Sequence, residues 1–77
     1  MNFNWLNIMI KSYYLIIFKQ NSKAFYKYVL RKNGPLGEII LKTNNRIELK
    51  MRLTLLGFKF TDLYNEKYSY RIWLRNI

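Results

Sequence analysis

The chain contains no cysteine and no histidine, and its only acidic residues are Glu38, Glu48, Asp62 and Glu66. Without cysteine there are no disulfides, and without either residue type the usual zinc sites are excluded. The four carboxylates are scattered among basic neighbours, so acid–base catalysis has no evident pair to use. We therefore expect no enzyme activity, no cofactor or metal, and no small-molecule substrate.

Long hydrophobic runs are also missing. The longest uninterrupted apolar and aromatic run covers residues 13–18, whereas a membrane-spanning helix needs roughly 20 such residues. Residues 1–12 contain no arginine and lack the segments of a secretory signal, so neither a transit peptide nor a signal peptide is indicated. A membrane partner is not expected, although an amphipathic segment over residues 5–18 at a membrane surface stays open as an alternative.

Basic residues dominate the charge. A net charge of +10 on 77 residues favours a polyanionic partner such as nucleic acid, because neutralised phosphates release counterions. Ile, Asn, Lys, Tyr and Phe, which A/T-rich codons encode, supply 39 of the 77 residues. This bias predicts an organelle-encoded protein of the mitochondrial matrix. So short a chain forms one small domain, 1–77, with residues 1–12 as an N-terminal extension, and a partner surface is expected to complete its stability.

Alternating apolar and polar residues predict a mainly β fold of the α+β family, a small antiparallel β-meander of about five to six strands. Strands are expected over residues 13–19, 25–31, 38–43, 46–55 and 68–74, with polar turns at 20–23, 44–45 and 64–67. Phe58 and Phe60 continue the alternation after Gly57, where a bulge is expected. A short N-terminal helix over residues 3–12 is a further option.

Residues 46–55 carry two conflicting signals. Their apolar residues alternate strictly, which favours a strand with one apolar face: Ile47, Leu49, Met51, Leu53 and Leu55. The Glu, Leu, Lys, Met and Arg residues of the same segment are good helix formers, and in a helix the five apolar residues would fall on two opposed arcs. We prefer the strand and keep the helix as the alternative.

The only proline and two of the three glycines lie within residues 32–41. Pro35 presets φ for the first central position of a turn, and Gly34 and Gly37 allow backbone conformations that other residues resist. The sequence therefore predicts a turn built on Gly34, Pro35, Gly37 and Glu38.

Two groups of basic residues are candidates for RNA binding. Five surround the first hairpin and its exit and interleave with Tyr26 and Tyr28: Lys19, Lys23, Lys27, Arg31 and Lys32. Three more are expected on neighbouring strands near the C-terminus: Lys59, Arg71 and Arg75. Lysine and arginine position phosphates, and exposed tyrosines stack on unpaired bases, so this combination is typical of a structured RNA surface.

The chain resembles the large-subunit ribosomal protein six family. The order strand, polar turn, strand, Lys-Gly-Pro-x-Gly-Glu-aliphatic and strand is similar to the start of that family, with Asn33 inserted after the lysine: Lys32, Gly34, Pro35, Gly37, Glu38 and Ile39. Residues 53–60 are similar to its Leu-x-Leu-Val-Gly-x-Gly-Tyr-basic segment, and residues 70–76 to the strand that follows.

The resemblance implies a reduced or split mitochondrial member of the family. Such a protein would be a structural part of a ribonucleoprotein active in translation, bound to ribosomal RNA of the large subunit and to neighbouring ribosomal proteins. Lys32 would contact a phosphate beside the turn. Family members have two related α/β domains with well over twice this length, and the helix expected between the two motifs is missing if residues 46–55 form a strand.

Two alternatives stay open. A small-subunit protein of the protein-eight type, whose start is helix, strand, helix, strand, strand, fits if residues 45–56 are helical. A small accessory subunit of an organellar membrane complex would use residues 5–18 as its buried element.

Overall fold

The computed structural model describes residues 11–60 and 67–76. Their elements are β1 (Lys11–Ile17), β2 (Tyr28–Lys32), β3 (Ile39–Thr43), α1 (Arg46–Leu55) and β4 (Tyr70–Asn76). The four strands form one antiparallel sheet in the order β3-β2-β1-β4. Three strands form a meander, and the fourth returns after α1 to pair with the first, as in a Greek key. The predicted fold class, mainly β and antiparallel with an α+β composition, is confirmed, but residues 11–60 and 67–76 form four strands instead of the five to six predicted.

One side of the sheet, here called the inner face, forms the core together with α1. Side chains alternate between the two faces of a strand, and the register brings Leu15 of β1 opposite both Leu30 of β2 and Ile72 of β4. Leu49 and Leu53 of α1 join this cluster. The four leucines are at most 1% exposed, so they form the centre of the core.

The strand predicted over residues 46–55 is wrong, because α1 occupies them. The side chain of Asn45 caps its first turn: Oδ1 accepts the N–H groups of Ile47 at 2.9 Å and Glu48 at 3.4 Å. Thr43 completes the cap, since its hydroxyl accepts the N–H of Asn45 and donates to the Glu48 carboxylate. The asparagines predicted as a two-residue turn therefore contain the start of a helix.

The C-terminal end of α1 is equally well defined. Gly57 adopts a φ of 92°, and its N–H donates to the carbonyl of Thr54, while the N–H of Phe58 donates to the carbonyl of Leu53. This pair of bonds is a Schellman motif, which needs a left-handed residue and so favours glycine. Gly57 is therefore a helix cap and not the predicted bulge. Two caps and high helix propensity outweigh the alternating pattern between them.

Replacing Asn45 by alanine should lower the free energy of unfolding by about 1 kcal/mol, because two N–H groups lose their acceptor. Urea denaturation measures this change. Asn45→Asp keeps an equivalent acceptor and should unfold close to the parent chain. Equal losses in both variants would contradict a capping role for this side chain.

The second strand begins later than predicted. Residues 25–27 do not join the sheet, because the side chain of Asn44 takes up their backbone groups: it accepts the N–H of Lys27 and donates to the carbonyl of Phe25. The connection between β1 and β2 therefore covers residues 18–27, more than the predicted turn at 20–23. β1 likewise runs over Lys11–Ile17 and not 13–19.

Other predicted boundaries also shift. Lys11 and Ser12 belong to β1, not to the helix predicted over residues 3–12, and the rest of that helix lies outside the described residues. β4 begins at Tyr70, two residues after its predicted start. Of the turn predicted at 64–67, only Lys67 lies within the described residues. Phe58 and Phe60 are not in a strand. They pack edge-on against Tyr13 and Tyr28 of the inner face, so the predicted continuation of the strand alternation is wrong although both rings contact the core.

Candidate nucleic-acid interface

The side of the sheet opposite to α1, here called the outer face, is the candidate interface. Its residues alternate with those of the core, and the strand register defines them as Ser12, Tyr14, Ile16, Val29, Arg31, Ile39, Lys42, Arg71, Trp73 and Arg75. None of the four strands contains an acidic residue. The outer face therefore presents four cationic positions without a carboxylate among them.

Two rows of side chains cross the whole sheet on this face. The first contains, from β3 to β4, Lys42, Val29, Ile16 and Arg71. The second follows a bulge that skips Ile40 and contains Ile39, Arg31, Tyr14 and Trp73. Since neighbouring strands lie about 4.8 Å apart, the first row places cations at both sheet edges, with their backbones roughly 14 Å apart.

The four cations of the outer face are not equivalent. Lys42, Arg71 and Arg75 are exposed, whereas Arg31 is half-buried and its Nη1 donates to the carbonyl of Gly37 at 2.7 Å. The Nε of Arg31 is buried and has no hydrogen-bond partner. Arg31 therefore braces the turn between β2 and β3, and the other three residues supply the accessible positive charge.

The basic residues predicted around the first hairpin lie at the two ends of β2 and do not form one group. Lys19 and Lys23 are exposed in the loop before β2, and the half-buried Lys27 lies with its Nζ 5.7 Å from the ring centre of Tyr28. Lys32 is exposed at the opposite end of β2, about 17 Å from Lys27 at the usual rise per residue of a strand. The loop lysines and Lys32 thus lie at opposite ends of β2 and do not form one cluster.

Two further residues occupy unexpected places. Lys59 is exposed in the segment between Phe58 and Phe60, not on a strand beside Arg71 and Arg75. Tyr28 points to the inner face and is only 3% exposed, so it cannot stack on a base. The other tyrosine of the predicted pair, Tyr26, is exposed and lies under the Nζ of Lys42 at 5.3 Å.

Sequence reasoning missed Lys42 and Trp73, which both lie on the outer face. The signal for both was strand alternation: Lys42 lies between the buried Leu41 and Thr43, and Trp73 lies between Ile72 and Leu74 of the inner face. Charge counting alone could not find them, because it does not distinguish the two faces of a strand.

The predicted turn forms as expected. Pro35 and Leu36 are its central residues, and the N–H of Gly37 donates to the carbonyl of Gly34 at 3.0 Å. Gly34 has a φ of 126°, and a Cβ there would lie 2.9 Å from Cη2 of Trp73. The turn is therefore in contact with the outer face. Glu38 is exposed, and its carbonyl accepts the N–H of Lys32 at 2.8 Å.

The exposed side of α1 forms a second, apolar surface. Ile47, Met51 and Leu55, spaced four residues apart, are all exposed and line a shallow groove of about 450 Å³ with Lys50 and Thr54. They are the second of the two opposed arcs, and Leu49 and Leu53 form the buried one. We call these three residues the helix stripe.

A scan against protein-family models matches no family, and searches of curated proteins and of solved structures find no match. Within residues 11–60 and 67–76, the helix falls short of the length and apolar character that crossing a lipid bilayer demands. The outer face is therefore the strongest indication of function.

Proposed function

We propose that this chain is a structural component of the mitochondrial ribosome and binds ribosomal RNA of the large subunit through its outer face. One observation carries the proposal: Lys42, Arg71 and Arg75 are exposed on the sheet face opposite to the core, and no strand contributes an acidic residue. Exposed lysine and arginine without neighbouring carboxylates neutralise phosphates and release their counterions.

The shape of the outer face suits a folded RNA. A strand-built surface roughly 14 Å across can contact phosphates and 2′-hydroxyls of neighbouring RNA segments, which is how proteins recognise structured RNA largely by shape. Lys19 and Lys23 in the loop before β2 extend the positive charge beyond the sheet. The core occupies the other face, so RNA contact requires no change in the fold.

Two features of the structure agree with the proposed resemblance to the large-subunit protein six family. The turn over residues 32–38 closes around Gly34, Pro35 and Gly37, and α1 supplies a helix where the strand interpretation had left none. Residues 53–60, in contrast, end and cap this helix. The segment that resembles the second family motif thus acts as a helix end in this chain.

The small-subunit alternative is also favoured by one observation, since residues 46–55 are helical. In the described part of the chain, however, three strands precede α1 and one follows it. That order differs from the helix, strand, helix, strand, strand start of the protein-eight type. We therefore keep the large subunit as the proposed location and the small subunit as the second candidate.

The helix stripe is our candidate contact with a neighbouring ribosomal protein. Its three apolar side chains lie on the opposite side of the molecule from the outer face, and burying exposed apolar area favours protein association. RNA and protein contacts would then use different sides of one small domain. This arrangement accounts for a chain that is too short to bury a large core of its own.

Neutralising one outer-face cation should weaken RNA binding through the loss of a phosphate contact. We expect Arg71→Gln or Lys42→Gln to lower the affinity for a structured RNA hairpin by about 1 kcal/mol, roughly fivefold. The slope of log K against log[salt] should fall by about 0.7 to 0.9 for each residue. Fluorescence anisotropy over a salt series measures both quantities.

Lys50→Gln is the matched control, because it removes the same charge from α1 instead of the outer face. Its affinity and salt slope should stay close to those of the parent chain. If Lys50→Gln weakened binding as much as Arg71→Gln, binding would depend on net charge alone, and the outer face would lose its special role.

The location is tested by gradient fractionation of detergent-solubilised mitochondria, with mass spectrometry to detect this chain. Sedimentation with the large ribosomal subunit supports the proposal, and release by high salt supports phosphate contacts. Sedimentation with the small subunit would favour the second candidate. Migration with a respiratory complex, with resistance to salt, would overturn both.

A further inference from the structure

Trp73 lies on the edge strand β4 of the outer face, with a cation on either side of it along the strand. It projects from β4 between Arg71 and Arg75, which occupy the same face two residues before and after it. Residues at this spacing lie about 7 Å apart along a strand. Trp73 is 47% exposed, an unusual degree for the largest apolar ring in a chain with a small core.

The exposed indole is nevertheless held in place by three neighbours. The ring of the buried Tyr14 packs against it at 5.3 Å between centroids with an interplanar angle of 74°. Gly34 approaches its far edge so closely that a Cβ would lie 2.9 Å from Cη2. The guanidinium carbon of Arg75 lies 5.1 Å from the ring centre. Fixed orientation together with exposure distinguishes this ring from the exposed Phe25 and Tyr68 in loops.

We propose that Trp73 is a stacking site for an unpaired base of RNA, with the exposed Arg71 holding an adjacent phosphate and Arg75 keeping its guanidinium against the indole. This inference rests on the proposed function and specifies the RNA element that the outer face contacts. A base inside a duplex offers no free ring face to a side chain, whereas bases in loops and bulges stack on aromatic rings and on arginine planes. A pre-positioned indole reduces the ordering cost of such a contact.

The charge pattern favours a nucleotide over an apolar partner at this position. The two arginines that flank Trp73 on its own strand are exposed. Lys42 and Arg31 are the other cations of the outer face, and none of the residues of this face is acidic. A protein or lipid acyl partner that covered Trp73 would have to desolvate these cations as well. A nucleotide supplies a flat base and an adjacent phosphate within the reach of one strand, and so meets both requirements.

The test compares a 12-nucleotide single-stranded oligoribonucleotide with a 12-base-pair RNA duplex and an abasic strand of the same length. Trp73→Ala should weaken binding of the single strand about tenfold or more, with an unchanged salt slope because no phosphate contact is lost. Binding of the duplex and of the abasic strand should change by less than about twofold. Trp73→Phe keeps an aromatic ring and should retain most of the single-strand affinity.

A second measurement does not depend on the stability of the Trp73 variants. In a Trp5→Phe background, which leaves Trp73 as the only tryptophan, stacking should quench and shift its fluorescence when the single strand is added, and the abasic strand should not. Salt-sensitive binding of all three probes without this quenching would overturn the stacking site and leave RNA binding by the outer face intact. No binding to any probe at low salt would overturn both proposals.

Discussion

Leu49→Ala is expected to remove a large part of the stability of this protein, whereas Leu55→Ala is expected to remove almost none. Leu49 is fully buried between α1 and the sheet, and Leu55 is 83% exposed on the helix stripe. Truncating a buried leucine costs about 2 to 5 kcal/mol because of lost burial and the cavity left behind. A chain of this length has about 4 to 12 kcal/mol in total. Urea denaturation followed by circular dichroism measures the difference.

The same pair of variants distinguishes the two interpretations of residues 46–55. In a strand with one apolar face, Leu49 and Leu55 would be equivalent, and both truncations would cost similar amounts. In α1 they lie on opposite arcs, so their effects differ by at least about 2 kcal/mol. Leu53, which is buried next to Leu49, should behave like Leu49. Equal effects at positions 49 and 55 would contradict the helix.

The hairpin of β2 and β3 was predictable because its turn residues and its packing in the sheet favour the same structure. Pro35 and its flanking glycines specify a turn, and residues 41–43 alternate between the two faces of the sheet. In residues 46–55 the alternating pattern led to the wrong prediction of a strand, because a helix with apolar residues on two opposed arcs shows the same alternation. The decisive signals were at the ends: Asn45 followed by Glu48 at the third helical position, and Gly57 just beyond the last turn.

The candidate interface was predictable only in part. Arg71 and Arg75 lie on one face of β4 at even spacing, but the predicted group of Lys59, Arg71 and Arg75 on neighbouring strands does not form, because Lys59 is not in a strand. Assigning Lys42 and Trp73 to the interface required the strand boundaries and the register, because only these show which face of the sheet a side chain occupies. The side chain of Arg31 in β2 donates to the carbonyl of Gly37 in the following turn. No sequence pattern indicates this contact.

The division of the sheet into two faces allows function and stability to be tested separately. Three exposed cations and the exposed Trp73 lie on the outer face, and the four fully buried leucines lie on the inner side. Substitutions of Lys42 or Arg71 remove no core contact, so their effects on RNA binding should not be accompanied by unfolding. Core substitutions such as Leu49→Ala should reduce binding only in proportion to the unfolded fraction.

Gly37→Ala is expected to lower the melting temperature strongly, although it adds a single methyl group. A Cβ at this position would lie 1.6 Å from the carbonyl oxygen of Lys32 and 2.8 Å from its carbonyl carbon. Both are backbone atoms at the end of β2, so the strand end or the turn must move. We expect a loss of about 3 kcal/mol or more, the upper end of overpacking costs, which corresponds to a melting temperature lower by about 12 to 24 °C.

Leu36→Ala is the control, because Leu36 lies in the same turn and is 99% exposed; its effect should stay within about 0.5 kcal/mol. The sign of the change at Gly37 is informative in itself. At a glycine whose surroundings accommodate a methyl group, alanine stabilises by about 0.4 to 1 kcal/mol by restricting the unfolded chain. A raised melting temperature for Gly37→Ala would therefore show that the turn does not close against Lys32, and the bond from Arg31 to the Gly37 carbonyl would lose its structural basis.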